Sequence, residues 1–297
     1  MVEKKNPTMQ GAVCPVPLNH EDVIIMGHGS GGSKTLNLIK NSFVSRFENP
    51  ILRAGNDAGV ITIEGRTPAT SSEKTRIAIS TDSHVIYPLF FPGGDIGRLA
   101  VCGTVNDISM MGAVPHYLTA GFILEEGLPI QILEKIIDSM QEAANESGVE
   151  IIAGDTKVVQ KGKGDQVYIN TTGFGIIPEG INVSGAYAQP GDSILVSGSI
   201  GDHGIAVLES RGELGFQSSI RSDIAPLNSL VMDITKAAPD VHTFRDPTRG
   251  GIATSLNEIA HQSNIGIEID ETCIPIKKQV LSACEMLGFD PLYICLL

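Results

Sequence analysis

The stretch Ile130–Ser147 constrains this chain more than any other. Ile132, Ile136, Ile137 and Met140 recur at helical spacing, and Gly148 follows as a stop. A helix with one apolar stripe needs a second layer to cover it. Strand-like stretches lie before it at 117–122 and after it at 151–153 and 166–174. Helical patterns recur at 36–47, 97–111, 204–209, 225–238, 251–262 and 277–287, the last closed by Gly288. Strand-like alternation recurs at 51–63 (interrupted by Gly55-Asn56-Asp57), 76–81, 193–197, 241–244 and 265–269. Helices and strands follow one another in both orders, so the expected class is α+β or α/β in two domains and not a barrel. The turn-rich stretch 178–190 is the expected boundary. It separates an extended arm at 1–21 and a mixed-sheet domain at 22–180 from an α/β domain at 190–297.

Charge and cysteine usage narrow the function. With 21 basic and 34 acidic side chains the formal net charge is −13, which argues against a nucleic-acid or anionic-lipid surface. One small phosphate held by backbone amides and a metal remains compatible with that acidity. No apolar run approaches the roughly 20 residues of a membrane helix, and no signal peptide is visible, so a cytoplasmic protein is expected. Five cysteines without a CxxC pair indicate neither a disulfide framework nor a zinc site. Seven histidines without HxxxH or HExxH spacing give little support to a histidine-built metal site.

The turn Gly27-His28-Gly29-Ser30-Gly31-Gly32 fits G-x-G-x-x-G, but the acid a dinucleotide fold wants about 20 residues on is matched only by Glu48, ahead of Pro50. A P-loop fails on register, because Ser33 separates Gly32 from Lys34. A plain glycine turn, open to close approach by phosphate, is the simpler reading. More informative is a recurring acid at the end of an apolar segment, beside small residues. It stands at Asp57, Asp82, Asp107, Asp155 and Asp246. Each alone can be an N-cap or turn residue. Together they can supply the carboxylates that Mg²⁺ takes in company with phosphates, and Lys157 and Arg249 add cations suited to phosphate.

Seven motifs carry a resemblance. They are the glycine turn, Ser80-Thr81-Asp82-Ser83, Pro88-Leu89-Phe90-Phe91-Pro92-Gly93-Gly94, Phe122-Ile123-Leu124-Glu125-Glu126-Gly127-Leu128-Pro129, Gly154-Asp155-Thr156-Lys157-Val158-Val159, Gly201-Asp202-His203-Gly204 and Asp246-Pro247-Thr248-Arg249-Gly250-Gly251. In that order, from about residue 22 to Tyr293, the chain resembles the HypE hydrogenase maturation factors. That wider group also holds selenophosphate synthetase, thiamine-monophosphate kinase and an aminoimidazole ribonucleotide synthetase. The resemblance implies a homodimer paired through N-terminal sheets. It also implies ATP-dependent dehydration of a carboxamide, carried on a C-terminal cysteine, to a thiocyanate. A carbamoyltransferase partner would deliver the carboxamide, and an iron–cyanide assembly complex would take the product. It further implies ATP and Mg²⁺ as cofactors, with Asp57, Asp82, Asn106, Asp107, Asp155 and Asp246 holding nucleotide. Of these, Asp57, Asp82, Asp155 and Asp246 would ligate metal, Gly29, Ser30, Gly31 and Gly32 would approach phosphate, and Lys157 would stand at the reacting group.

The chain also departs from that family. After Asp290-Pro291-Leu292-Tyr293 the family continues into an Ala-Asn-Glu-Gly stretch and ends Pro-Arg-Ile-Cys, whereas here Ile294-Cys295-Leu296-Leu297 follows. The expectation is a shortened copy with an intact first domain, an incomplete second domain and no carrier tail. That leaves a nucleotide-binding, non-catalytic scaffold as the alternative. A selenophosphate synthetase-like kinase is a more distant one, because Cys14 precedes Pro15 and Val16 and the glycine loop carries His28.

Overall fold

The computed structural model describes residues 24–47, 49–64, 74–212 and 219–294. The expected arm 1–21, Glu48, Cys14 and Cys295 lie outside the described residues. One five-stranded sheet has the order β1-β2-β7-β5-β6. Its strands are β1 (Gly59–Glu64), β2 (Lys74–His84), β5 (Val114–Glu125), β6 (Glu150–Val159) and β7 (Val167–Ile177). β3 (Phe90–Phe91) and β4 (Gly94–Asp95) form a separate small pair. Only β5 and β6 run parallel, joined by the helix α5 (Ile130–Ser147), while every other neighbour is antiparallel.

Strand alternation decides the two faces. In β2, Ala78, Ser80 and His84 are buried while Ile79, Thr81 and Ser83 are exposed. The buried face carries α4 (Ile96–Ser109), whose N-terminus is capped by the Asp95 carboxylate accepting from the Gly97 and Arg98 amides. Val101, Val105, Leu118, Ile136, Met140 and Ile169 meet in the core between sheet, α4 and α5. Each fully buried aliphatic side chain there contributes roughly 1.5–3 kcal/mol. Ile136 and Met140 lie one turn apart on the buried stripe of α5, whereas Ile137, expected beside them, is 47% exposed because it is turned about 100° away. On the opposite, uncovered face stand Ile61, Ile79, Tyr117, Ile123 and Ile176. Between them runs a polar row in which Thr81 bonds Thr172 (2.8 Å) and the Asn170 amide donates to Ser83 Oγ (2.9 Å).

Several segment expectations need correction. The helix expected at 36–47 forms in pieces: α1 (Ser33–Leu38), a π-helical stretch Ile39–Val44 and α2 (Ser45–Phe47). The strand expected from residue 51 begins as a helical turn, α3 (Pro50–Arg53). Asn49 accepts from the Ile51 amide and proline stands at the first helical position, so capping chemistry overrides alternation before β1 starts. The second half contributes α6 (Asp202–Ser210), α7 (Asn228–Ala237), α8 (Gly251–Ser263) and α9 (Lys278–Leu287). Residues 193–197, 241–244 and 265–269, expected as strands, join no ladder among the described residues. Alternation sets which face is apolar, but a strand exists only where a neighbour accepts its amides. Pro291–Tyr293, expected to be strand-like, is a 3-10 turn capped by the Asp290 carboxylate.

The halves are stitched together by polar contacts to backbone. Arg98 Nε donates to Ile224 O (3.3 Å), and the Ser222 amide donates to Pro92 O (2.8 Å). The buried His203 ring bonds Ser222 Oγ (2.9 Å) and sets its edge against Phe91. Burial pushes its pKa down to about 4, so it is neutral near pH 7. Among the described residues no helix is long and apolar enough to cross a membrane.

Candidate functional site

A cleft of about 200 Å³ gathers residues distant in sequence: Gly31 and Gly32, Asp57, Asp107 on α4, and side chains between Arg245 and Glu258. The glycine turn reaches it because both glycines adopt positive φ (86° and 66°). A Cβ on Gly31 would lie 2.9 Å from the carbonyl carbon and oxygen of Arg249, so only glycine lets the turn lie against that backbone. The Gly31 amide donates to Thr35 Oγ1 (3.0 Å), tying the turn to the first turn of α1.

Four carboxyls line the cleft, those of Asp57, Asp107, Asp246 and Glu258. Asp107 accepts from Ser80 Oγ at 2.6 Å. Asp57 pairs with Arg245 at 2.8 Å, and the same guanidinium also pairs with Glu258 on α8 and donates to Gly55 O (3.2 Å). Burial pushes the Asp57 carboxyl up to about 7 against the pull of Arg245. Burial likewise pushes Asp107 up to about 8, with the Ser80 hydrogen bond working the other way. Asp246 is raised well above the usual carboxylate range, first by burial and then by the charges of Asp57 and Asp107. Asp57, Asp107 and Asp246 form one cluster short of positive charge, since Arg245 is already shared between Asp57 and Glu258. Arg249, with 59% of its side chain exposed, stands at the cleft free of any closer pairing than 3.8 Å to Asp82. Asp82 continues the site along β2. Its Oδ1 accepts from the Ser83 amide (2.8 Å), and its Oδ2 lies 3.5 Å from Nε2 of the buried His84. Burial lowers the His84 pKa, Asp82 opposes the shift and Arg249 adds to it.

The expected residues therefore divide. Gly31, Gly32, Asp57, Asp107 and Asp246 line one cleft, with Asp82 beside Arg249 at its edge. Gly29 and Ser30 belong to the turn but not to the lining, and Ser30 Oγ donates back to Gly27 O. Asn106 is turned away from the cleft. Its amide donates to Ala225 O (3.1 Å) and accepts from the Leu227 amide (2.8 Å), so it clips the second half onto α4. Asp155 and Lys157 pair with each other (3.1 Å) on the edge strand β6, each side chain 71% exposed. The register aligns Asp82 with Thr171, Ala120 and Gly154, so Asp155, one residue on, points to the uncovered sheet face. Three strand spacings, about 14 Å, separate its strand from that of Asp82. The metal shell of Asp57, Asp82, Asp155 and Asp246 thus does not assemble within one chain. Among the described residues no three Asp, Glu, His or Cys side chains form a group that could hold a metal ion. A smaller role fits the donors that do meet, because Mg²⁺ is commonly held by one or two carboxylates together with phosphate oxygens.

Sequence reasoning gave no role to Arg245, Glu258, Thr35 or His84. Arg245 adjoins a quoted motif, and its pairing with Asp57 across 188 positions was the only signal it lacked. Glu258 lies in mid-helix, and only the approach of α8 to residue 245 brings it to the cleft.

Comparison with known proteins finds relatives over most of the chain. Residues 55–177 match the N-terminal domain of AIR synthase related proteins and residues 189–294 match the C-terminal domain. The carbamoyl dehydratase HypE of Cupriavidus necator is 52% identical over 279 residues, covering 94% of this chain and 77% of that protein. A chain of a crystallised HypE–HypF complex superposes with a TM-score of 0.80 at 50% identity, over 87% of this chain and 81% of that one. A hydrogenase maturation protein HypE crystallised with ATP gives 0.72 at 49% identity, over 92% and 79%.

Proposed function

Because this chain belongs to the HypE family of AIR synthase-related proteins, we propose that its cleft binds Mg-ATP and serves the dehydration of a thiol-bound carboxamide to a thiocyanate during nickel–iron hydrogenase maturation. The observation that carries this reading is the convergence of Gly31, Gly32, Asp57, Asp107, Asp246 and Arg249 on one cleft of about 200 Å³. ATP supplies a phosphoryl group for the amide oxygen, which is otherwise a poor leaving group. The oxygen then leaves as phosphate, the nitrogen loses both protons, and the nitrile remains.

The chain's own residues supply binding and charge. The amides of the glycine turn approach phosphate oxygens closely because no Cβ intervenes. Arg249 has a guanidinium free to meet phosphate charge. One or two of the carboxylates of Asp57, Asp107 and Asp246 would hold Mg²⁺ together with the phosphates. Their raised pKa values are the mark of carboxyls that a cation would relieve. Lys157, as the group at the reacting amide, lies on the uncovered sheet face. That face is apolar at Ile79, Tyr117 and Ile123, and we assign it to a second copy of this chain, which is how Asp155 and Lys157 would join a nucleotide. The carboxamide would come from a carbamoyltransferase partner, in keeping with the HypE–HypF complex known for a relative. The product would pass to an iron–cyanide assembly complex in the cytoplasm. None of the described cysteines lines the cleft: Cys102 and Cys284 are buried, and Cys273 sits exposed beside Asp270.

The second reading is a scaffold that binds nucleotide without turning it over, favoured by the distance of Lys157 from the acid cluster within one chain. Calorimetric titration with Mg-ATP tests the shared part. ATP hydrolysis in the presence of carbamoyl phosphate and the transferase separates the two, since a scaffold binds and consumes nothing. No heat of binding at millimolar Mg-ATP would refute both.

A further inference from the structure

Asp82 is the one acid of the nucleotide site with a buried imidazole beside it. The His84 side chain is 5% exposed, and its Nε2 has no hydrogen-bond partner; it lies 3.5 Å from Asp82 Oδ2. A polar atom buried without a partner costs about 1–3 kcal/mol, so its presence calls for a reason. Both residues project from the helix-facing side of β2, two positions apart, and α4 closes over them at Gly103. A Cβ on Gly103 would stand 3.0 Å from His84 Cε1 and 3.4 Å from Asp82 Oδ2, so the helix leaves room for the imidazole and the carboxylate to lie side by side and for little else. On its other side the Asp82 carboxylate faces the exposed Arg249 guanidinium at 3.8 Å.

We propose that His84 is a positioning residue for nucleotide binding: its Nε2–H, held by the wall that Gly103 forms, orients the Asp82 carboxylate so that one oxygen faces Arg249 and the incoming nucleotide. This rests on the Mg-ATP reading above. His84 itself touches neither phosphate nor reacting amide. Without ligand its Nε2–H already faces Asp82 Oδ2 across a long 3.5 Å contact, and a bound ligand that draws the carboxylate into its working orientation shortens it.

Two readouts on the full chain separate the proposal from its premise. In titrations with Mg-ATP, H84A weakens affinity roughly tenfold, the loss of one hydrogen bond to a charged group. H84Q restores it to within about threefold, because the glutamine amide places an N–H near the Nε2 position. In a D82N background H84A has no further effect on affinity. A purely structural histidine predicts the opposite pattern: melting temperature falls in both backgrounds while affinity is unmoved or the losses add, and either result overturns the proposal. Nitrogen-15 spectra of the imidazole need no nucleotide. The Nε2–H tautomer and a shift of the His84 resonances in D82N support the contact, and an unchanged His84 spectrum overturns it. If wild-type protein shows no binding of Mg-ATP, the nucleotide reading fails, while the spectrum still decides whether His84 orients Asp82.

Discussion

Replacing Arg245 with methionine tests the electrostatic reading of the cleft most directly. The Arg245 side chain is 18% exposed, and its guanidinium is shared by Asp57 at 2.8 Å, Glu258 and the Gly55 carbonyl, with the Asp57 and Glu258 side chains 10% and 21% exposed. Methionine keeps the apolar stem and removes the charge. At an effective dielectric constant near 20, each such contact is worth several kcal/mol of gross Coulomb energy, offset by desolvation. Removing one member of a buried ion pair costs about 3–5 kcal/mol because the partner is left uncompensated. The cost depends on pH. Arg245 is what pulls the Asp57 pKa down towards about 7, so without it Asp57 stays protonated to still higher pH. Below pH 7 the Asp57 carboxyl is neutral in both proteins, and the loss shrinks to what the Glu258 pair and the hydrogen bonds contribute, less than the loss above pH 7. Above pH 7 the variant must keep Asp57 neutral or bury its charge, and the full 3–5 kcal/mol appears. Urea unfolding followed by far-ultraviolet circular dichroism at pH 5.5 and pH 8.5 measures both values, since the chain has no tryptophan. In a D57N background the pH dependence of the loss should largely vanish. A loss below about 1 kcal/mol at pH 8.5, or one equal at both pH values, would refute the reasoning.

Other outcomes follow from the same structure. Asp57 and Asp107 titrate near 7 and 8 when folded but near 3.8 when unfolded, so the native state holds the extra protons and their contribution to stability declines as pH rises from about 4 to 8. The D57N/D107N protein should therefore show a flatter stability profile than wild type between pH 5 and 8 in the same urea assay. Gly103→Ala should destabilise by about 1–3 kcal/mol, because its methyl group enters the space of His84, and should weaken Mg-ATP binding as well. Thermal scans with and without nucleotide read both. Ile123→Arg, at a side chain 43% exposed on the uncovered sheet face, should convert a dimer to a folded monomer in sedimentation velocity. A monomeric wild type would remove the case for pairing through that face. Cys102 is 1% exposed and burial pushes its thiol up to about 12, so a brief pulse of maleimide should label Cys273 and leave the Cys102 peptide unmodified, as peptide mass spectrometry would record.

How much of this was legible beforehand depends on how local the deciding interaction is. The α5 helix and its Gly148 stop follow from spacing and from one residue free to adopt positive φ. The mixed sheet with helices, the seven motifs and their family were all readable in the chain, because each rests on neighbours within a few residues. The cluster of Asp57, Asp107 and Asp246 was readable as residue types but not as a group, since each recurs in the same local setting as Asp155, which lands elsewhere. Alternation within β6 cannot say that β6 is the sheet edge or which face stays uncovered; strand order and register decide that. Asn106 looked like a ligand beside Asp107, yet one step around α4 sends its amide to the backbone of residues 225 and 227. Arg245, Glu258 and His84 gained their roles only through contacts across long stretches of chain or through the helix packed above them. Sequence by itself determined the chemistry available to this protein. Tertiary structure alone decided which charges share a desolvated space, because burial and distance are properties of the packed fold.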